Sequence, residues 1–234
     1  MIDIHCHILP GIDDGPTEMQ ESIKMAEIAA RDGITKIVAT PHISNTLHAV
    51  SSIRNSIARL NKRLADLGIS LEIIQGADVN AMLDVSLLKG YTINNTHYIL
   101  VEFPHSHLPN SMKEVLFKMM VQGYRPIITH PERNFSVLKD PRVLFELING
   151  GVLAQITADS ITGTFGVDIQ ECSRYLLKKN MITFIATDAH SSHHRKPILS
   201  RGLKAAEKII GKEKALKLVT VNPEAVVKGR PLRG

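Results

Sequence analysis

Apolar positions along this chain follow two periods, and the switches between them divide it into strands and helices. Ile2 and Ile4 alternate with Asp3 and His5, which predicts a short strand beginning almost at the first residue. Met19, Ile23, Ala26 and Ala30 then recur at helical spacing. Thr17 and Gln20 form a capping-box pattern ahead of them, and Gly33 closes the helix. Lys36 to Thr40 reads as a buried strand leading into Pro41-His42. Ile53, Ile57, Leu60, Leu64 and Leu67 make the clearest apolar stripe, closed by Gly68. Leu71 to Ile74 is the next strand and delivers Gly76-Ala77-Asp78. After a less regular stretch comes the strand Tyr98 to Glu102, followed by the loop Phe103-Pro104-His105.

The second half repeats the alternation. Ser111 and Glu114 are spaced as a second capping box, before a helix that ends near Gly123. Ile127 to His130 is a strand, followed by Pro131-Glu132-Arg133-Asn134. Asp140-Pro141 places an N-cap before a proline at the first helical position, and that helix stops at Gly150-Gly151. The strand Val152 to Ile156 precedes the loop Thr162 to Gly166 and a helix whose core face carries Ile169, Cys172 and Leu176, so Cys172 reads as packing. Ile182 to Thr187 is the last strand and delivers Asp188-Ala189-His190. Three helices follow it, the third beginning at Asn222-Pro223. Seven strands alternating with helices across short loops predict a parallel sheet of βα units, closed or nearly closed into a barrel. Without a Gly/Ser-rich linker, a low-complexity run or an internal repeat, residues 1–234 read as a single domain.

Composition narrows the class. With 44% hydrophobic and 22% charged residues the chain has the balance of a soluble globular protein. No apolar run reaches the ~20 residues that span a bilayer, and no basic-then-apolar leader opens the sequence, so a cytoplasmic location without membrane insertion is expected. The net charge of +5 favours anionic substrates. The basic residues are scattered over the helices, and with no Trp among them nothing supports nucleic-acid binding. Neither cysteine begins a Cys-x5-Arg phosphate loop, because the required arginine positions hold Ile12 and Lys178.

The candidate chemistry collects at the C-terminal ends of the strands. His5 and His7, two apart in a strand, project to one side while Cys6 points away. His42 follows the second strand, Asp78 the third, Glu102 ends the fourth, His130 the fifth, and Asp188 and His190 the seventh. In a barrel all these ends open on one face. Eight nitrogen and oxygen donors are more than one ion needs, so they predict a cluster of two or three divalent metals. Imidazole and carboxylate without thiolate suits Mn²⁺, Fe²⁺ or Zn²⁺. Arg133 and Arg195 stand three to five residues beyond the ligands His130 and His190, where guanidinium groups can fork phosphoryl oxygens.

These motifs together resemble the polymerase and histidinol phosphatase (PHP) superfamily. Within it they resemble the bacterial manganese-dependent protein-tyrosine phosphatases of capsule and exopolysaccharide synthesis. The resemblance rests on Met1 to His5 with Asp13-Asp14-Gly15-Pro16, Thr40-Pro41-His42, His130-Pro131-Glu132-Arg133, Thr162 to Gly166, and Thr187-Asp188-Ala189-His190. It implies a distorted (β/α)7 TIM-like barrel holding a trinuclear cluster, manganese before iron, zinc or magnesium. The implied reaction is hydrolysis of phosphotyrosine on the tail of an autophosphorylating kinase that controls polysaccharide export. A hydroxide activated on the metals would attack phosphorus in line, while the metals, Arg133 and Arg195 neutralise the equatorial oxygens. Asp14, on the loop over the site, is the candidate to protonate the leaving phenolate. One position departs from the family pattern: Asp78 stands where Glu is usual, one methylene shorter. A histidinol-phosphate or other small-molecule phosphomonoesterase on the same scaffold is the alternative.

Overall fold

The computed structural model describes residues 1–44 and 46–232. It is an α/β fold in which every strand pairing is parallel. Nine strands are present among the described residues: β1 (Ile2–Cys6), β2 (Lys36–Ala39), β3 (His42–Ile43), β4 (Glu72–Gln75), β5 (Asp78–Asn80), β6 (Tyr98–Glu102), β7 (Arg125–Thr129), β8 (Leu153–Thr157) and β9 (Phe184–Ala186). They form a three-stranded sheet in the order β1-β2-β4 and a six-stranded sheet in the order β3-β5-β6-β7-β8-β9.

Two of these strands differ from the expectation from sequence. β3 and β5, read as loops, continue β2 and β4 across short breaks at Thr40-Pro41 and Gly76-Ala77. Pro41 cannot donate to a ladder. At Gly76 an added Cβ would come within 2.4 Å of the Val38 side chain, so only glycine lets these strands approach so closely. With each broken pair counted once, nine strands occupy seven positions. The far edges meet at one isolated parallel bridge between Cys6 and Ala189, beside hydrogen bonds from Asp188 N to His5 O (2.8 Å) and from His7 N to Ala189 O (2.8 Å). Asp3 adds to this seam by accepting from the Thr187 amide at 3.0 Å.

Strand alternation divides the core in two. Ile37, Ala39, Ile73, Ile99, Val101, Ile128, Ala154, Ile156 and Ile185 belong to the large cluster under the helices. Val38, Ile74, Tyr98, Leu100, Ile127, Phe184 and Ala186 form a smaller inner cluster with Ile2 and Ile4. Val226 and Val227, on the last helix, join that inner cluster. Each such aliphatic side chain stabilises the fold by roughly 1.5–3 kcal/mol through burial. The register of β1 against β2 slips between Asp3 and Cys6, a departure from simple alternation on either side of His5.

The helix Met19–Arg31 starts at Glu18 in extended conformation with no side-chain cap, so the Thr17–Gln20 box does not form. Ser111 likewise gives no side-chain cap to Met112–Val121. The Asp140 cap does form, its carboxylate accepting from Arg142 N at 3.0 Å. Ile53, Ile57, Leu60 and Leu64 bury the face of Val50–Asp66, whereas Leu67 lies just past the helix end and is exposed. Cys172 is buried in the large cluster, as expected. No helix of the described residues is long and apolar enough to cross a membrane.

Candidate metal centre

All eight residues singled out as ligands come together at the C-terminal strand ends. Their donor atoms fall into overlapping groups within 4.8 Å of one another: His5, His7 and Asp188; His5, Asp78 and His130; His42, Asp78 and Glu102; Glu102 and His130 with His105; and His7, His42 and His190 with Asp14. Asp14 and His105 are thus additions to the expected set. Asp78 belongs to two of these groups despite its shorter side chain. Its Oδ2 lies 3.5 Å from His5 Nε2 and 3.7 Å from His42 Nδ1, is buried, and has no hydrogen-bond partner. A cavity of about 300 Å³ opens beside it, lined by His42, Ile43, Ser44, Asp78, Asn80 and Glu102.

The first two histidines give the clearest test of whether a cation fits. His5 Nδ1 lies 2.9 Å from Gln155 Oε1, and His7 Nδ1 lies 2.7 Å from Asp13 Oδ2. Both partners accept, so both imidazoles carry a proton on Nδ1 and turn their Nε2 lone pairs toward each other at 3.1 Å. Two facing lone pairs need a positive charge between them, a proton or a metal ion. Asp188 Oδ1, 3.4 Å and 3.5 Å from the same two nitrogens, completes the group. The unpartnered Asp78 oxygen and this facing pair fit a divalent ion held by imidazole and carboxylate.

Where no ion intervenes, the carboxylates draw protons onto some of these imidazoles instead. Burial would lower the pKa of His5, but the Asp188 and Asp78 carboxylates overcome it and raise the value to about 9. Against the same burial, the hydrogen bond to Glu102 and the Asp78 charge lift His42 to about 9. His130 goes the other way, pushed well down by burial and by Arg133, and burial with the neighbouring His7 lowers His190 to about 3. Asp188 is held well below the usual carboxylate range although burial opposes this, because His5, His7, His130 and Arg195 surround it. The chain has therefore concentrated cation-demanding carboxylates in a buried place.

Backbone strain marks the same spot. His130 (φ 33°) and Asp188 (φ 51°) both adopt the left-handed region, which costs a non-glycine residue about 1–2 kcal/mol. Arg133 and Arg195 both reach Asp188 Oδ2. Arg133 also lies over the Phe165 ring, its Cζ 5.3 Å from the centroid, which gives the Thr162 to Gly166 loop a physical contact with the site. Asp14 is exposed at the rim, its Oδ1 3.3 Å from His190 Nε2 and 3.7 Å from His42 Nε2. Cys6 is buried and in none of the groups. Asp13, Gln155 and Phe165 were given no role from sequence, although Asp13 lies in the Asp13-Asp14-Gly15 turn and Phe165 in the Thr162 to Gly166 loop that carry the resemblance; Gln155 had no signal.

A buried set of imidazoles and carboxylates at the strand ends of a parallel α/β fold, flanked by two arginines, defines the class as a metal-dependent hydrolase of phosphorylated substrates. The family model described as capsular polysaccharide synthesis, CpsB/CapC, matches residues 1–228, and the chain belongs to that family. It is 36% identical over 238 residues to tyrosine-protein phosphatase YwqE of Bacillus subtilis, covering 99% of this chain and 93% of that one. It is 38% identical over 204 residues to the putative tyrosine-protein phosphatase CapC of Staphylococcus aureus, covering 83% of this chain and 79% of CapC. A crystal structure from work on YwqE and Streptococcus pneumoniae CpsB, described there as unique metal-dependent tyrosine phosphatases, superimposes with a TM-score of 0.94 at 36% identity. That match covers 100% of this chain and 96% of the other.

Proposed function

We propose that this chain is a metal-dependent protein-tyrosine phosphatase, its site built on a distorted (β/α)7 barrel of the PHP type that acts as one domain over residues 1–234. The observation that carries the reading is the convergence of the imidazoles and carboxylates with Arg133 and Arg195 on one buried carboxylate, Asp188. His5, His7, His42, Asp78, Glu102, His130, Asp188 and His190 would hold two or three divalent ions; imidazole and carboxylate without thiolate suits Mn²⁺, Fe²⁺ or Zn²⁺, and the family resemblance puts manganese first. The seven strand positions and the Cys6–Ala189 bridge support the barrel.

When bound, such ions supply Lewis acidity that brings water's pKa toward neutrality and withdraws charge from phosphoryl oxygens. The protein groups do the rest. Arg133 and Arg195, aimed at one point, fork the non-bridging oxygens of the phosphoryl group and hold it in line for attack. Asp14 at the rim delivers a proton to the bridging oxygen of the tyrosine; phenolate leaves with a pKa of about 10, so the proton helps without being obligatory. The buried floor under His5, His7 and Asp188 excludes bulk water and keeps these charges strong. No cysteine nucleophile takes part: Cys6 and Cys172 are both buried.

The substrate we propose is the phosphotyrosine-bearing tail of a bacterial kinase that controls capsule or exopolysaccharide synthesis, met in the cytoplasm. The family's link to capsular polysaccharide synthesis supports this choice. The test is phosphate release by metal-stripped protein with Mn²⁺ added back, on a phosphotyrosyl peptide and on histidinol phosphate in parallel. Mn²⁺-dependent turnover of the peptide alone is expected. Turnover of histidinol phosphate alone would contradict the proposal and place the chain among small-molecule phosphatases.

A further inference from the structure

The paired histidines are each fixed from behind, but by residues of different reach. Gln155, fully buried on β8, makes one such contact, accepting from His5 Nδ1 at 2.9 Å. Asp13 makes three. Its Oδ2 accepts from His7 Nδ1 at 2.7 Å and from the His42 backbone amide at 3.1 Å, while its Oδ1 accepts from the Gly15 amide at 3.1 Å. Gly15 itself is pressed against His7: an added Cβ would lie 2.3 Å from the His7 carbonyl oxygen. Asp14 therefore sits between two anchored neighbours, with its carboxylate over His190 and His42.

We infer that Asp13 is a positioning residue that joins two functions of the site. It fixes Nε2 as the ligating atom of His7, and it holds the Asp14 loop in place over the ligands. Gln155 performs the first task alone, for His5. The inference rests on the phosphatase reading above, because the second function concerns proton delivery to the leaving group.

The chemistry makes asparagine a poor replacement. A carboxylate accepts three hydrogens from two oxygens, whereas an amide has one acceptor oxygen and one NH₂. At position 13 the NH₂ would face either the Gly15 amide or the Nδ1–H of His7 and the His42 amide. Orienting partners of this kind typically change metal affinity about 10–100-fold.

The experiment compares Asp13→Asn, Gln155→Leu and Gln155→Glu with the wild-type chain. Mn²⁺ affinity is read from free Mn²⁺ by electron paramagnetic resonance, and turnover at saturating Mn²⁺ is read on phosphotyrosine and on an aryl phosphate with an acidic leaving group. Asp13→Asn and Gln155→Leu are each expected to weaken Mn²⁺ binding about 10–100-fold, and Gln155→Glu, which keeps an acceptor, to restore it. Only Asp13→Asn should also lower turnover of phosphotyrosine, by about tenfold or more relative to the activated ester.

If Asp13→Asn binds Mn²⁺ like the wild type, or lowers both substrates equally, the coupling is wrong. A wild-type chain that binds neither Mn²⁺ nor Zn²⁺ and releases no phosphate from phosphotyrosine overturns the phosphatase reading as well, so the two failures are distinguishable. Should the variants not fold, nitrogen-15 spectra of the zinc-loaded wild type decide. Protonated Nδ1 at both His5 and His7 supports the inference, and ligation through His7 Nδ1 overturns it.

Discussion

Asp188 and Glu132 are equally removed from water, at 2% and 0% exposure, yet they do different things. Asp188 faces cationic and cation-binding groups: His5 at 3.4 Å, His7 at 3.5 Å, His190 at 3.7 Å, and both Arg133 and Arg195. Glu132 faces neutral donors, accepting from the Thr157 amide at 2.9 Å and the Ser160 hydroxyl at 2.6 Å. The result is opposite titration. Neighbouring positive charge holds Asp188 far down against burial, while burial pushes Glu132 up. A buried carboxylate is thus not itself a sign of a site; what it faces decides. Glu132 ties the turn Pro131–Arg133 to the helix Ala158–Thr162, whose following loop carries Phe165 against Arg133. It is part of the frame, whereas Asp188 faces the groups of the candidate metal centre.

The sharpest way to break that contrast is to remove the charge at each place. Asp188→Asn keeps the volume but leaves Arg133, Arg195 and the histidines without their shared anion. Metal content per chain should fall and turnover should drop about 10³-fold or more, measured together by elemental analysis and phosphate release. A metal-replete variant with near wild-type turnover would remove Asp188 from the ligand set. Glu132→Ala should instead leave metal content unchanged and destabilise the fold by about 2–4 kcal/mol, because two buried donors lose their acceptor. Urea midpoints at constant slope would read this. Glu132→Gln keeps an acceptor and should cost about 1 kcal/mol or less.

The smallest effect is expected at the thiols. Burial pushes Cys172 up to about 12 and Cys6 well above its usual range, so both stay protonated at neutral pH. A thiol reagent should label neither in the native chain, should leave turnover unchanged, and should label both after unfolding. Rapid labelling with loss of turnover would revive a cysteine mechanism.

The candidate set, whose donor atoms the fold does bring together, was legible because its grammar is local. His5 and His7 share a side through the two-residue period of a strand, and the remaining ligands recur at strand ends with one polarity. What escaped acts over distance or lacks a motif. Gln155 reaches His5 across 150 residues of sequence, and Glu132 reaches Ser160 across 28. Nothing in either residue's neighbours announces those contacts. The strands His42–Ile43 and Asp78–Asn80 are too short to show a period, so the breaks at Thr40-Pro41 and Gly76-Ala77 read as loop starts. The two capping boxes failed for a related reason. The first helix takes Glu18 rather than Thr17 as its N-cap, and Ser111, though at the expected N-cap, has φ −78° and ψ 1° instead of the extended backbone that aims a capping side chain.

Anomalous X-ray scattering from Mn²⁺-loaded crystals tests most directly whether ions sit among these eight side chains. Two or three anomalous peaks are expected, each about 2.0–2.6 Å from nitrogen or oxygen donors of the named histidines and carboxylates. His5 Nε2, His7 Nε2 and Asp188 should share one of them. Peaks confined to other parts of the surface, or none at saturating Mn²⁺, would contradict the metal centre and the mechanism built on it.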